Sequence, residues 1–415
     1  MNIYNEQFDL IVVGGGPSGM MAAGRAGERG KKVLLLEKNT RLGEKLRISG
    51  GGRCNIANAQ FDTHLFLQKF GDTGKFLYSP FSQFSVQDTF DFFESRGLPL
   101  VVEAGNRVFP QTYKAEDVCG VMEEYMKKHN VTVLTHAPVS SIETSDSGIS
   151  GVVVGGTLYV AENYLIATGG LSHPETGSTG DGFGWLEKLG HTIVKSTPSL
   201  VPLMIEEKWV ADVSGVSLDP MRIVFFVDGK HQFAKKGRML FTHFGISGPL
   251  IINSSLEIKK LLEVGTVEAN IDMFPEMDHR ILEKHILEVF DENKNKEFKT
   301  VFKSLAPSGM SDVLTNMFEG VTPETKVHSV SKKTRKQMVQ LFKKLTITVK
   351  GLMGYDMAII SDGGVVLEEV DTKTMRSKLF DNLYFTGDLL HVNRPSGGFS
   401  LQLCWTTGYV VGESI

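Results

Sequence analysis

Short, unbroken apolar runs that end in glycine or charge mark the beginning, middle and end of the chain. Phe8-Asp-Leu-Ile-Val-Val, Val33-Leu-Leu-Leu, Tyr164-Leu-Ile-Ala and Leu383-Tyr-Phe are of this kind. Runs of this length, apolar on both faces, read as interior strands of a parallel sheet. The first two flank a helical stretch and close by Asn39 as a right-handed βαβ start. Residues 43–58 read as a glycine-rich loop, 63–96 as amphipathic, Phe-rich helix, and 106–110 as a turn. Residues 115–129 predict a helix, and 131–134, 139–143 and 151–160 predict strands. From about Gly190 the pattern alternates apolar and polar, with Gly and Pro punctuation through Asp272, as in a small antiparallel unit. Residues 277–345 are helical and more charged, strand patterning resumes after Lys350, and a final helix follows Asp388. The simplest architecture is α/β, with a discontinuous nucleotide-binding domain of residues 1–190 and 346–415. Residues 191–345 form an insertion, β-rich over 191–275 and helical over 276–345.

The chain has 415 residues, beyond one ordinary core, so two or more domains are expected. Net charge is −4, and the three cysteines (Cys54, Cys119, Cys404) have no C-x-x-C spacing. That argues against a disulfide scaffold or structural zinc and fits a reducing cytosol. The first strand begins almost at once, with no apolar run long enough to span a membrane, so the expectation is a cytoplasmic enzyme.

The first strand breaks into Gly14-Gly-Gly-Pro-Ser-Gly and then a helix, the context in which G-x-G-x-x-G has a mechanical meaning. Gly14 permits the turn, Gly16 lets backbone approach a pyrophosphate, and Gly19 allows close helix–strand packing. The helix, opened by Pro17 and Ser18, points free N–H groups at the phosphates. Glu37, at the end of the second strand, is placed to accept from a ribose hydroxyl. Far downstream, Thr386-Gly-Asp ends another apolar strand. A dinucleotide fold that uses only nicotinamide needs no such element, whereas FAD does: Asp388 reaches a ribityl hydroxyl and the following helix presents its N-terminus. The bland reading of Asp388 is an N-cap.

Taken in order, further motifs give the chain a family likeness. Ser49-Gly-Gly-Gly-Arg-Cys-Asn, Arg107-Val-Phe-Pro, Ala167-Thr-Gly-Gly, Gly177-Ser-Thr-Gly-Asp-Gly and Phe241-Thr-His-Phe-Gly-Ile-Ser-Gly-Pro come first. Asp371-Thr-Lys-Thr-Met-Arg-Ser-Lys, Phe385-Thr-Gly-Asp and Ser396-Gly-Gly-Phe complete the set over essentially the full length. The chain resembles the BaiN/RdsA family of YhiN-like flavoproteins, which share the fumarate- and glutathione-reductase type of FAD fold. The resemblance implies a Rossmann-like FAD-binding domain, non-covalent FAD, an inserted β-barrel domain carrying helices, and reduction of an activated double bond with NADH or NADPH. One branch of the family makes dihydrouridine in ribosomal RNA; another reduces enones in bile-acid-like steroids. This chain departs from the family where His391 replaces an Asp, and where Gly397-Gly-Phe-Ser replaces Gly-Gly-Tyr-Asn.

The expected cofactor set is Gly14, Gly16, Pro17, Ser18, Gly19, Glu37, Lys38, Ser49, Gly50, Gly51, Arg53, Cys54, Asn55, Val139, Thr168, Gly169, Gly387, Asp388, Gly397, Gly398 and Phe399. Arg53 either balances reduced-flavin charge or pairs with a phosphate or carboxylate. Hydride delivery to a polarised C=C also needs a proton. Cys54, His173 and His243 are the candidate donors, against readings as a buried hydrophobe and as structural or surface histidines. His391 and Asn393, beyond Asp388, read equally as turn residues. No second glycine fingerprint follows a later strand, so a nicotinamide would dock transiently or another donor would act.

Residues 325–355 hold no Asp or Glu but eight Lys or Arg, including Lys332, Lys333, Arg335 and Lys336. That is the footprint expected for a phosphate backbone, or else a solvated helix face. Ribosomal RNA uridine is the preferred substrate and a small enone the alternative. A flavin-bearing sensor without turnover is the non-enzymatic one.

Overall fold

The computed structural model describes residues 2–4, 6–146 and 148–415. It divides into one unit of Met1–Ser199 with Ala358–Ile415, and a second of Leu200–Met357. In the first unit five parallel strands run in the order Leu383–Phe385, Ala161–Ile166, Phe8–Val13, Val33–Leu36, Thr132–Leu134. Every residue of Val33–Leu36 and Leu383–Phe385 is buried, which is why these segments are apolar without alternation. The crossover helix Pro17–Glu28 packs on the final helix Phe399–Ser414. That last helix is buried on nearly all sides, with Trp405 fully enclosed and its indole N–H donating to the Ile56 carbonyl at 3.0 Å.

The helical expectation for 63–96 resolves into Thr63–Gln68, Gly74–Gln83 and Val86–Glu94. The single strand expected over 151–160 is instead two, Gly148–Val154 and Thr157–Tyr159. They are joined by Gly155 and Gly156 at φ 56° and 81°, a hairpin that needs two left-handed residues. The expected boundaries near 190 and 345 also shift. Ile193–Ser199 pairs antiparallel with Ile360–Val365 inside the first unit. Leu345–Leu352 belongs to the second, where it closes a barrel.

That barrel has strand order Leu203–Ile205, Gly245–Ser247, Lys230–Thr242, Ser217–Val227, Val267–Asp272, Leu345–Leu352. Inward residues such as Ile223, Phe225, Ala269 and Ile347 are fully buried, the alternation that the sequence displays. Helices His279–Glu292, Phe298–Leu305, Ser311–Thr315 and Lys332–Lys343 gather around a stacked aromatic core. Its rings Phe298–Phe302 and Phe302–Phe342 lie 5.0 and 5.7 Å apart.

The approach of the two helices in the first unit is set by glycine. A Cβ at Gly408 would lie 2.4 Å from the Ser18 carbonyl oxygen. Gly408→Ala is therefore expected to destabilise by about 1–3 kcal/mol through overpacking. Gly120→Ala, on the exposed face of Ala115–Lys128 where a methyl meets nothing within 4 Å, should instead stabilise by about 0.5–1 kcal/mol. Denaturant midpoints of the two variants check the contrast; equal shifts would show that the helix approach is not glycine-limited.

Candidate functional site

Three glycines follow the first strand, and the structure separates their roles. A Cβ on Gly14 (φ 110°) would meet the Ala167 carbonyl oxygen at 2.6 Å, and one on Gly19 would meet the Gly14 carbonyl oxygen at 2.0 Å. Both glycines are demanded by packing. Gly16 is not: its φ of −78° and ψ of −179° suit any residue, and nothing lies within 4 Å of where its Cβ would be. The space over Gly16, at the N-terminus of Pro17–Glu28, is where an anionic group meets the unpaired N–H groups of a helix. Glu37 is 7 % exposed and accepts from the Gly15 N–H and the Asn39 N–H, both at 2.8 Å. Each carboxylate oxygen can accept a second bond, so the side chain both fixes the glycine turn and can still receive a hydroxyl. Lys38 is already committed, its Nζ lying 2.7 Å from Asp181 and 2.5 Å from Thr179 Oγ1. Val139 starts a strand and pairs with Val154, while the Ala137 N–H donates to the Glu37 carbonyl.

The glycine-rich segment forms the second part. Gly50, Gly51, Gly52 and Cys54 all have positive φ, between 58° and 81°. Space is open beyond Gly51 and Gly52. Arg47 anchors the preceding helix Glu44–Ile48 by pairing with Glu116 and, at 2.8 Å, Glu123. Ser49 Oγ donates to the Leu46 carbonyl, and the Ser49 carbonyl accepts from the Cys54 N–H. Asn55 Oδ1 accepts from the Val108 N–H, so this side chain holds the loop to its neighbouring strand.

One expectation for this loop changes, and one pair of alternatives narrows. The Cys54 thiol is 0 % exposed, and burial pushes it up to about 12, against the lowering effect of its bond to Ser49. It is packed as a small hydrophobe, out of reach of a substrate atom. Arg53 turns to protein partners: its guanidinium lies over the Phe109 ring at 4.5 Å and 3.5 Å from Glu103. It pairs with a carboxylate.

The third part comes from the end of the chain. Thr386 Oγ1 donates to Ser18 Oγ at 3.1 Å, and Gly387 (φ 62°) donates its N–H to Thr407 Oγ1 at 3.1 Å. Asp388 pairs with Arg394, a residue that sequence reasoning missed. Arg394 is 3 % exposed, and it also donates to the Val392 carbonyl at 2.6 Å and Ser400 Oγ at 2.9 Å. Lys45, also missed, donates from Nζ to Ser172 Oγ at 3.1 Å. Burial pulls its ammonium below the usual lysine range while the charge of Asp388 acts in the opposite sense. Asp388 thus feels two cations, the buried Arg394 and the part-buried Lys45. Gly397 offers its carbonyl to Asn58 Nδ2 at 3.0 Å, and a Cβ on Gly398 would strike the Ala57 carbonyl oxygen at 2.1 Å. The Phe399 side chain packs inward on Phe66 and Phe70, ring centroids 4.8 and 5.9 Å away, rather than standing at a cofactor surface.

Beside the central strand, Gly169 is left-handed (φ 72°), and Thr168 Oγ1 is buried with no hydrogen-bond partner among the described residues. Space over Gly16, the open left-handed loop and an orphaned hydroxyl at the ends of parallel strands are what a bound FAD would use. The residues fit the group. His173 (φ 51°) lies in this unit with Nδ1 2.8 Å from Glu175, whose carboxyl it holds down. His391 faces Asp362 at 3.6 Å. His243 belongs to the second unit, where it is exposed, packs edge-on to Phe244 and borders a cavity of about 310 Å³ with Glu206, Glu207 and Lys208.

The model of the HI0933-like protein Rossmann domain family matches residues 8–414. Over 407 residues the chain is 28% identical to the 3-dehydro-bile acid delta(4,6)-reductase of Clostridium scindens, covering 97% of this chain and 98% of that one. It is 25% identical to the ribosomal RNA dihydrouridine synthase of Escherichia coli (99% and 98% covered). The ribosomal RNA dihydrouridine synthase of Haemophilus influenzae is 28% identical (100% and 99%). In fold it is similar to a flavocytochrome c3 fumarate reductase, with TM-score 0.55 at 15% identity over 99% of this chain and 78% of that one. The 3-ketosteroid-delta4-(5alpha)-dehydrogenase of Rhodococcus jostii gives 0.53 at 13% identity, covering 99% and 97%. The fold is the one these two solved structures share. No helix among the described residues is long and apolar enough to cross a membrane.

Because no protein atom needs the glycine at position 16, Gly16→Val should leave the melting temperature of the apoprotein unchanged. It should weaken FAD binding at least tenfold, about 1.4 kcal/mol. Titration of flavin fluorescence against apoprotein reads this directly, and an unchanged affinity would remove the pyrophosphate from this position.

Proposed function

This chain belongs to the HI0933-like protein Rossmann domain family, and from that premise we propose that it is an FAD-dependent reductase of uridine in ribosomal RNA. The observation that carries the choice of substrate is the acid-free, lysine-rich stretch of residues 325–355 in the second unit. Lys332, Lys333 and Lys336 are exposed on Lys332–Lys343, with Thr334, Met338, Val339 and Phe342 buried beneath them. Lys333 has a long, exposed pairing with Glu319 at 3.9 Å, too weak to withhold it from a phosphate. Arg335 contributes less than its charge suggests, since it donates to the Val330 carbonyl at 2.8 Å. Exposed cations on a helix whose opposite stripe is fixed in a core form a rigid surface for phosphates. Full-length likeness to two proteins named ribosomal RNA dihydrouridine synthase supports the same substrate.

In this reading the Gly16–Gly19 helix terminus would hold the pyrophosphate and Glu37 a ribose hydroxyl, and the Gly50–Gly52 backbone would approach the cofactor ring. Arg394 holds one oxygen of Asp388, and the other would accept from a ribityl hydroxyl when FAD is bound. Reduced FAD supplies a hydride, with NADH or NADPH as its source. Uracil C5=C6, conjugated to C4=O, is a suitable acceptor, and the base must be unpaired to be reached. His173 and His243 stay as proton-donor candidates; Cys54 leaves that set because its thiol is enclosed. A ribosomal substrate places the protein in the cytoplasm. The second reading, reduction of a small enone, is favoured by the likeness to the bile acid reductase and needs no basic surface.

Dihydrouridine in ribosomal RNA, measured by nucleoside mass spectrometry, should fall in cells lacking the protein and return on complementation. No change at any position would leave the enone reading standing. In the purified protein, Lys332, Lys333 and Lys336 changed together to Gln should reduce the salt dependence of RNA binding by about 2 in log–log slope, near 0.7 for each single-strand phosphate no longer neutralised. Bound flavin should be unaffected. A slope equal to that of the unaltered protein would show that these lysines touch no phosphate.

A further inference from the structure

Resting on the RNA reading above, we propose that the second unit carries a binding cleft for an unpaired nucleotide of the RNA substrate, separate from the exposed lysine face. The cleft, about 710 Å³ in volume, lies between the outer wall of the barrel and the helix Lys332–Lys343. Val224, Phe226 and Asn270 form one wall; Val224 and Asn270 are register partners on adjacent strands, and all three side chains are only partly buried. Gln337, Leu341 and Lys344 form the other. An apolar floor with an aromatic ring, bounded by the carboxamides of Asn270, Gln337 and Gln340, suits a flat ring that carries hydrogen-bonding edges.

A specific polar atom points to such a ligand. Gln337 Oε1 is buried without a hydrogen-bond partner among the described residues, and a buried acceptor left unmade is costly. Turned toward the cleft, that oxygen would accept from an amino or imino N–H of a base. Asn270 Oδ1 accepts from Thr346 Oγ1 at 2.8 Å, which fixes the direction of its amide. The charge is complementary too. Lys343 is consumed inside the unit by Asp272 at 2.6 Å and by the Phe274 and Met277 carbonyls. Lys344, exposed at the rim, is left to meet a phosphate. A duplex is too broad for this volume and hides its base faces, so the occupant is single-stranded.

The test uses the full-length, FAD-loaded protein and fluorescein-labelled single-stranded oligoribonucleotides of each base, followed by anisotropy. Phe226→Ala removes the stacking surface and should weaken binding about tenfold or more. Gln337→Leu keeps the volume but removes the acceptor. It should weaken binding about fivefold and narrow the preference among bases. Phe226→Leu with an unchanged melting temperature serves where the alanine variant fails to fold. Unaltered oligoribonucleotide affinity in the Phe226→Leu and Gln337→Leu proteins overturns the cleft while the RNA reading stands. A parent protein that binds none of the oligoribonucleotides at low salt overturns the cleft, and the RNA reading with it if ribosomal dihydrouridine is also unchanged in cells lacking the protein. Weakened binding of a steroid enone, with RNA untouched, assigns the cleft to the enone and also overturns the proposal.

Discussion

The close packing of the first long helix against the last is the constraint on which the first unit depends. Gly408 and Gly412 of Phe399–Ser414 sit where any Cβ would lie 2.4 and 2.6 Å from the Ser18 and Ala22 carbonyl oxygens of Pro17–Glu28. At that separation Arg25 and Arg29 both reach Glu413, and Thr386 reaches Ser18. Two segments at opposite ends of the sequence thereby form one surface: the glycine turn that opens the first helix and the Thr386-Gly-Asp corner. Strand order makes this unavoidable, since Ala161–Ile166 lies between Phe8–Val13 and Leu383–Phe385 and pairs with both in parallel. Long insertions between such segments cost little so long as the ends meet, because loop-closure entropy grows only slowly with length.

Electrostatics at the same corner follow from that packing. Asp388 is drawn into a place where a lone carboxylate would be unfavourable, and Arg394 is drawn in with it, using all three guanidinium nitrogens on Asp388, Val392 and Ser400. A buried pair of this kind contributes little net stability compared with apolar packing, yet removing one partner leaves an uncompensated charge. Its value lies in geometry: the carboxylate has one orientation. Lys45, tied to Ser172, adds a second cation to the same neighbourhood, where Glu175 acts on it as well as Asp388.

Much of this was legible in the chain, and the exceptions have a physical pattern. Local signals with a required backbone were readable: Gly14 through the tight turn it permits and Gly19 through close helix–strand packing. Side chains whose role depends on distant partners were not. Arg394 is ordinary in an Arg-Pro-Ser-Gly-Gly turn, and only the fold makes Asp388 its neighbour. Lys45 looks like a surface lysine on a short helix until Ser172 closes over it. Arg53 and Cys54 share a motif, yet one lies over Phe109 and the other is enclosed, a distinction set by tertiary neighbours. The domain edges moved for the same reason, because Leu345–Leu352 follows a helix in sequence but completes a barrel through residues some eighty positions earlier.

The substrate question belongs to the second unit on chemical grounds. A uracil ring and a steroid enone present the same reacting feature, a C=C conjugated to a carbonyl, so groups that orient the flavin cannot tell them apart. Discrimination must come from whatever recognises the remainder of each molecule. For a steroid that remainder is apolar and uncharged, and a surface carrying Lys332, Lys333, Lys336 and Lys344 with no nearby acidic residue in sequence gives it no advantage. For RNA it is a polyanion with unpaired bases, and both the rigid lysine face and a cleft with an unsatisfied amide oxygen answer to that chemistry. The acid-free stretch is therefore informative in a way that net charge is not: the whole chain is acidic, and the cations stand together on one element whose core face is already fixed.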